Sequence, residues 1–240
     1  MNKSFLIVIP AHNEEVILTA NIGQLVEFCR ARLNAHKWHI VIAENGSIDN
    51  TAQIARAIVA EHEQVLVMQN QTAGKGAAIR AAWAAADDDL LFFMDADLST
   101  DLEILPRMIT ALENGTDVVV GSRLIGGAKV SRGLFREVGS RFYNLLARAV
   151  LNLSFRDFQC GCKGITQSAA RKVLPRLISD QWFMDTELLA QAKALGLSVE
   201  ELPVHWVEHR DTRRESTVSS FKVFFALCRE LVALRRRLRN

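Results

Sequence analysis

Five short apolar runs, each followed by a polar cluster and then, for the first four, a segment of helical period, constrain this chain more than any single residue does. The runs are "FLIVIP", "HIVIAE", "QVLVMQ", "LLFFMD" and "DVVVGS", and residues 14–33, 50–62, 76–86 and 101–114 separate them. Apolar runs without alternation predict strands buried on both faces. Such strands alternating with amphipathic helices predict an α/β fold with a mainly parallel sheet covered on both sides. Beyond about residue 125 the pattern changes to two long helical stretches, 132–151 and 218–238, around a mixed region. No internal repeat, low-complexity segment or linker divides the chain, so residues 1–240 are expected to form a single domain.

In open sheets of this kind ligands lie at the carboxyl ends of the strands. Here those ends are "PAHNEE", "AENGSIDNT", "NQTAGKGAA", "MDADLST" and "GSR". Five polar clusters are therefore expected to line one crevice, with Asp95 and Asp97, Glu44 and Lys75 among their side chains.

Several site classes are excluded. The phosphate-loop pattern fails because Lys75 is followed by Gly76 and position 69 is Gln69, and the dinucleotide fingerprint fails because no glycine follows the first strand before Gly23. His205 and His209 in "HWVEH" lie in an extended segment spanning roughly 13 Å, too far apart for one zinc ion. Basic and acidic residues nearly balance, 29 against 27, so no overall field for nucleic acid is expected. The four cysteines show neither zinc spacing nor the density of a disulfide framework, which points to a reducing compartment. Pro10, His12 and two glutamates interrupt the amino-terminal apolar run, and no 18-residue apolar stretch occurs, so no membrane span is expected.

Carboxylates spaced i, i+2 after a buried strand suit a hard cation, Mg²⁺ or Mn²⁺, that keeps water ligands and shares diphosphate oxygens with a substrate. An isolated pair of this kind is common; its place among four other polar strand ends is what makes it informative.

The ordered motifs "VIPAHNEE", "ENGSIDNT", "GKGAAIR", "MDADLST", "VVGSRL", "DFQCGCKG", "WFMDTELL" and "ELPVHW" resemble those of family 2 glycosyltransferases, in particular the dolichyl-phosphate glucosyl- and mannosyltransferases and their bacterial polyprenyl-phosphate relatives. The resemblance covers nearly the whole chain. It implies a GT-A fold, a nucleotide-sugar donor, a divalent metal and inversion at the anomeric carbon. It also implies that Pro10, Ala11, Asn13 and Glu14 lie against the nucleoside and that Glu44 bonds the base. Asp95, Ala96 and Asp97 would meet the donor, the two acids holding the metal on its diphosphate, and Lys75 would reach the ribose or phosphates. Helix-start preference for Glu14 and Glu15, a turn and cap in "NGSIDNT", and an exposed helix-start Lys75 are the structural alternatives.

His12, Glu44, Ser99 and Cys162 depart from the common pattern and leave the base open. "GKGAAIR" and "WFMDTELL" are similar to the glucosyl branch, favouring UDP-glucose over GDP-mannose. A lipid phosphate needs cations rather than a base, and Arg123, Arg136 and Ser140 match the family's acceptor-phosphate residues. Arg132 and Arg141 read as solvated neighbours. Asp157 would be the base if a hydroxyl were the acceptor; otherwise Asp157 and Gln159 organise the acceptor loop. Residues 218–240 read as a basic amphipathic helix lying in a membrane interface, with a helix packed on the domain as the alternative. The segment from Phe135 through Phe142, Leu145, Leu146 and Val150 has similar character. A peripheral location on the cytoplasmic face of a membrane is thus expected.

Overall fold

A computed structural model describes residues 3–70, 73–131, 133–208 and 221–239; the side chains of 134–136 and 221–225 lie outside the description. Strands β1 (Phe5–Ala11), β2 (Trp38–Asn45), β3 (Val65–Asn70), β4 (Leu90–Met94) and β5 (Val118–Ser122) occupy the five apolar runs. Between them lie helices α1 (Leu18–Arg32), α2 (Thr51–Glu61), α3 (Lys75–Ala85) and α4 (Ile104–Glu113). The second part adds β6 (Lys129–Ser131), α5 (Leu134–Leu151), β7 (Cys162–Thr166), α6 (Gln167–Val173), α7 (Met184–Ala194), β8 (Val199–Pro203), β9 (His205–Val207) and α8 (Phe221–Arg237).

The seven-stranded sheet runs β3-β2-β1-β4-β7-β5-β8, and β6 pairs with β9 in a separate ribbon. Strand β7 is antiparallel to both β4 and β5, whereas the other pairs in the large sheet are parallel. The sequence pattern did not anticipate β7, because Lys163 and Gly164 interrupt its apolar character. Gly164 is required there: a Cβ would stand 2.4 Å from the Phe92 ring.

Period two explains why β1 reads as an unbroken apolar run. Phe5, Ile7 and Ile9 join one core with α1, α2 and α4, while Leu6 and Val8 join a second core with α3, α6 and α7. The chain order 1→2→3 and then 4 places a topological switch between β1 and β4. Their register ends at Val8 and Phe93, which is where open sheets of this topology bind their ligands. Pro10 lies beyond this point, where β1 keeps β2 as its ladder partner.

The C-terminal helix corrects one expectation. Leu231 and Leu234 of α8 are fully buried in the second core, and Arg235 donates to the Leu151 carbonyl at 3.2 Å. This half of the apolar stripe therefore packs on protein rather than lying in lipid. An amphipathic pattern records that one face is shielded from water, not by what. Among the described residues no helix is long and apolar enough to cross a membrane.

Candidate active site

Strand β4 delivers the two acids into a tight turn. The Asp95 amide donates to the Gly161 carbonyl at 2.9 Å, the Leu98 amide to the Asp95 carbonyl at 3.0 Å, and the Ser99 amide to Asp97 Oδ1 at 3.1 Å. Leu98 holds the left-handed conformation, φ 45°, that closes this turn. Ala96 is buried and its carbonyl accepts from Asn21 Nδ2 at 2.8 Å, fixing the peptide between the acids. Asp95 and Asp97 both remain partly accessible.

The Asp95 carboxylate sits in a cradle that only glycine permits, since a Cβ on Gly161 would fall 1.7 Å from Asp95 Oδ2. Burial pushes the Asp95 carboxyl up; Lys75 opposes the rise, and Asp97 and Asp185 add to it. A carboxylate crowded by other acids gains from a cation. Among the described residues no cluster of three or more His, Cys, Asp or Glu side chains forms a metal site. Two partly accessible carboxylates such as Asp95 and Asp97 could supply oxygen ligands to a hard cation of the Mg²⁺ or Mn²⁺ type.

Lys75 opens α3 and is buried rather than solvated, with its Nζ 2.8 Å from Asp95 Oδ1 and 3.1 Å from Asp185 Oδ2. It lies 4.7 Å from the Trp182 ring centroid and 5.0 Å from that of Phe93, within cation–π range. Burial alone would lower the Lys75 ammonium, but Asp185 and Asp95 outweigh it and hold it above its usual value. Asp185 in turn pairs with the wholly buried Lys163, which also donates to the Cys160 carbonyl at 2.6 Å. Burial would raise the Asp185 carboxyl, yet Lys163 and Lys75 hold it below the ordinary range. A continuous chain of alternating charge therefore runs Lys163, Asp185, Lys75, Asp95.

The ends of β1 and β2 form the neighbouring wall. Pro10 and Ala11 pair with Ala43 and Glu44, so the buried Glu44 lies beside the first strand end. Glu44 Oε1 accepts from the Ser47 amide at 2.7 Å. Asn45 Nδ2 donates to the Ala11 carbonyl at 2.9 Å while its Oδ1 accepts from the Gly74 amide at 3.0 Å, tying both strand ends to the glycine-lysine loop. Asn13, at φ 57°, accepts from the Ile48 amide at 2.9 Å through Oδ1. Glu14 is buried, its amide donating to Thr51 Oγ1 at 2.7 Å, and α1 begins only at Leu18 because residues 14–17 are spent on this turn.

On the other side of the acids, Arg123 follows β5 and meets the buried Asp157 in a two-pronged pair. Its Nε donates at 2.7 Å to Oδ2 and its Nη2 at 2.9 Å to Oδ1, and the backbone amide of Arg123 adds a third bond at 3.0 Å. Burial would raise the Asp157 carboxyl, but Arg123 wins and pulls it down to about 2. Burial likewise works against the Arg123 guanidinium, and Asp157 holds it above its ordinary value. Gln159 Nε2 donates to Thr186 Oγ1 at 2.7 Å, and Thr186 Oγ1 also meets Tyr143 OH of α5 at 2.8 Å. Asn144, one turn after Ser140, donates to the Ser140 carbonyl at 2.9 Å and accepts from the Phe158 amide at 2.7 Å. The Arg136 side chain and Arg132 lie outside the described residues, and Arg141 is exposed against Glu137.

Asp185, Lys163, Gly161 and Trp182 belong to this constellation although sequence reasoning gave none of them a role. "DFQCGCKG" and "WFMDTELL" contained them, but an acid in the first turn of a helix reads as a dipole preference. A lysine in a strand reads as an exposed position.

The fold and the paired strand-end acids define a GT-A-like nucleotide-diphospho-sugar transferase architecture. Over residues 6–174 the chain matches the model of glycosyl transferase family 2, and it belongs to that family. It is 33% identical over 209 residues to glycosyltransferase AglD of Haloferax volcanii, covering 86% of this chain and 34% of that protein. It is 34% identical over 218 residues to dolichyl-phosphate beta-glucosyltransferase ALG5C of Trichomonas vaginalis, covering 86% of this chain and 64% of the relative. The chain thus spans from a third to just under two thirds of these relatives. Among solved structures it is similar to glucosyl-3-phosphoglycerate synthase from Mycobacterium tuberculosis in complex with Mn²⁺, UDP and glucosyl-3-phosphoglycerate. The TM-score is 0.69 at 18% identity, with 98% of this chain and 80% of that one covered.

Proposed function

We propose that this protein is an inverting glycosyltransferase that moves glucose from UDP-glucose to a polyprenyl phosphate at the cytoplasmic face of a membrane. The observation that carries the acceptor class is the pairing of Asp157 with Arg123. A general base must hold an accessible lone pair near the reacting proton. Asp157 has both oxygens engaged and its carboxyl pulled down to about 2, which makes it a poor proton acceptor at neutral pH. A phosphate monoester or polyprenyl phosphate arrives already anionic and requires positioning only. Its oxygen attacks C1 of the hexose, the bond from C1 to the diphosphate breaks, and UDP departs with the electron pair; no proton need be removed.

Within that reaction Glu44 and the strand ends of β1 and β2 hold the nucleoside, and Asp95 and Asp97 would hold a divalent cation. The chemistry such a cation supplies when bound is neutralisation of charge on the leaving diphosphate. Lys75 adds a fixed positive charge on the same side. Arg123, held by Asp157, would meet the incoming phosphate; Arg136 and Ser140 are assigned to the same phosphate from their place in the family motif alone. Glucose is supported by the name of the relative dolichyl-phosphate beta-glucosyltransferase ALG5C, and UDP by the UDP complex of the structural neighbour.

The bilayer contact is assigned to α5 rather than to the buried half of α8. Val138, Phe142 and Leu145 recur at helical spacing and are 58%, 56% and 58% exposed. Arg141, Arg148 and Arg156 flank them, a pattern suited to an anionic lipid surface. The opposite face of α5 carries Tyr143 and Asn144, which hold the acceptor loop, so one helix joins lipid to site.

The test of the donor assignment is calorimetric titration with UDP, UDP-glucose and GDP-mannose in Mn²⁺. Tighter binding of the uridine ligands is expected; preferential binding of GDP-mannose would replace glucose with mannose in this reading.

A further inference from the structure

The first turn of α7 carries two buried acids with different partners. Asp185 faces Lys75 and Lys163, as described. Glu187, fully buried, turns the other way: its Oε2 accepts from the amides of Ile178 and Ser179 at 3.0 and 2.9 Å, and its Oε1 lies 2.7 Å from Arg237 Nη2 of α8. A second polar link joins the same elements, since Ser179 Oγ donates to Glu230 Oε2 of α8 at 3.1 Å.

The segment held in this way, residues 177–181, is pressed on the start of α3. A Cβ on Gly74 would stand 2.7 Å from the Asp180 carbonyl oxygen, and one on Gly76 2.5 Å from that of Ser179 and 2.8 Å from that of Gln181. The Ala77 amide donates to the Asp180 carbonyl at 3.1 Å, and Gln181 Nε2 donates to the Ala73 carbonyl at 3.1 Å. Lys75 lies between those two glycines. Glycine at 74 and 76 lets the two backbones approach this closely and two hydrogen bonds join them, so a shift of 177–181 is expected to move the first turn of α3 and with it the ammonium beside Asp95.

We infer that α8 is a strut of the donor site: Arg237 and Glu230 hold residues 177–181 against the start of α3 and so fix Lys75 beside Asp95. This rests on the reading of Lys75 and Asp95 as donor-side groups. A detachable anchor needs only an apolar face, whereas α8 offers specific polar partners to a buried carboxylate and a buried serine. Arg237, Glu230 and Glu187 are positioning residues, not catalytic ones, and the C-terminal helix cannot be lifted off the domain without loss of donor binding.

The test is Arg237→Gln, read by calorimetric titration of UDP with Mn²⁺ and by the melting temperature without ligand. Losing the guanidinium removes the α8 partner of the buried Glu187 Oε1, and UDP affinity is expected to fall about 10-fold. In Glu187→Gln combined with Arg237→Gln, the side chain still accepts from Ile178 and Ser179 but carries no charge, and affinity is expected to return to within about 3-fold of wild type. Ser179→Ala, which cuts the Glu230 link without stranding a charge, keeps the question open to measurement if Arg237→Gln does not fold; a drop of about 3-fold is expected. Wild-type affinity in both Arg237→Gln and Ser179→Ala, with only melting temperature reduced, overturns the strut. A wild-type protein that binds no UDP in Mn²⁺ contradicts the underlying donor reading instead.

Discussion

Gly161 and Asp95 approach so closely that the Cα hydrogens of one fill the space beside the carboxylate of the other: a methyl group at 161 would stand 1.7 Å from Asp95 Oδ2. The same pair shares a backbone hydrogen bond of 2.9 Å. Gly161→Ala should therefore displace the acid turn while β7 keeps its ladder. Because displacements of about 1 Å can cost on the order of 100-fold in rate, transfer should fall by at least that much. Steady-state transfer and Mn²⁺ titration check this; unchanged metal dependence would show that the cradle is incidental.

Asp97→Ala, and treatment of the wild type with EDTA, should abolish transfer with folding preserved. Loss of charge neutralisation on the leaving diphosphate is worth several kcal/mol. Circular dichroism and product formation, measured on one preparation, separate the two effects.

Glu44→Gln keeps an acceptor for the Ser47 amide but removes the negative charge beside the first strand end. Affinity for UDP should fall by about 10-fold, while turnover at saturating donor changes little. A loss of turnover at unchanged affinity would move Glu44 from nucleoside binding to chemistry.

Much of this arrangement was legible from sequence for a physical reason. Strands buried on both faces give unbroken apolar runs, so β1 to β5 and their polar ends stood out. The rest depended on long-range pairing. Lys163 is hidden in a strand only because Asp185, 22 residues later, neutralises it, and neither residue betrays that alone. Likewise the apolar stripe of α8 looks the same whether lipid or Leu151 and its neighbours cover it. What the pattern could not show was Glu187, whose partners come from a preceding loop and from a helix 50 residues on.

The Arg123–Asp157 pair makes stability depend on acid. The folded carboxyl, at about 2, lies below the ordinary 3.8, so the pair's contribution is complete above about pH 5 and is lost as pH falls through 3.8 toward 2. The loss amounts to about 2 kcal/mol. Asp157→Asn should be less stable at neutral pH and should lack this part of the acid-dependent fall. Denaturant midpoints between pH 2 and pH 7 for both proteins give the difference; parallel curves would mean that the pair contributes nothing.

For α5, Val138→Asp combined with Leu145→Asp should reduce binding to anionic vesicles by at least about 10-fold, because apolar contact is replaced by charge of the wrong sign. Transfer to a short, water-soluble polyprenyl phosphate should persist. Vesicle sedimentation reads the first effect, and undiminished sedimentation would return the membrane contact to another surface.

The proposed nucleophile is a lipid phosphate. Its most direct test is incubation of the wild-type protein with UDP-glucose, Mn²⁺ and a short polyprenyl phosphate, in parallel with the corresponding polyprenol, followed by mass and anomeric analysis of the product. The expected product is a beta-linked glucosyl phosphodiester from the phosphate and nothing from the alcohol. Glucose joined to the alcohol, with the phosphate left untouched, would contradict it.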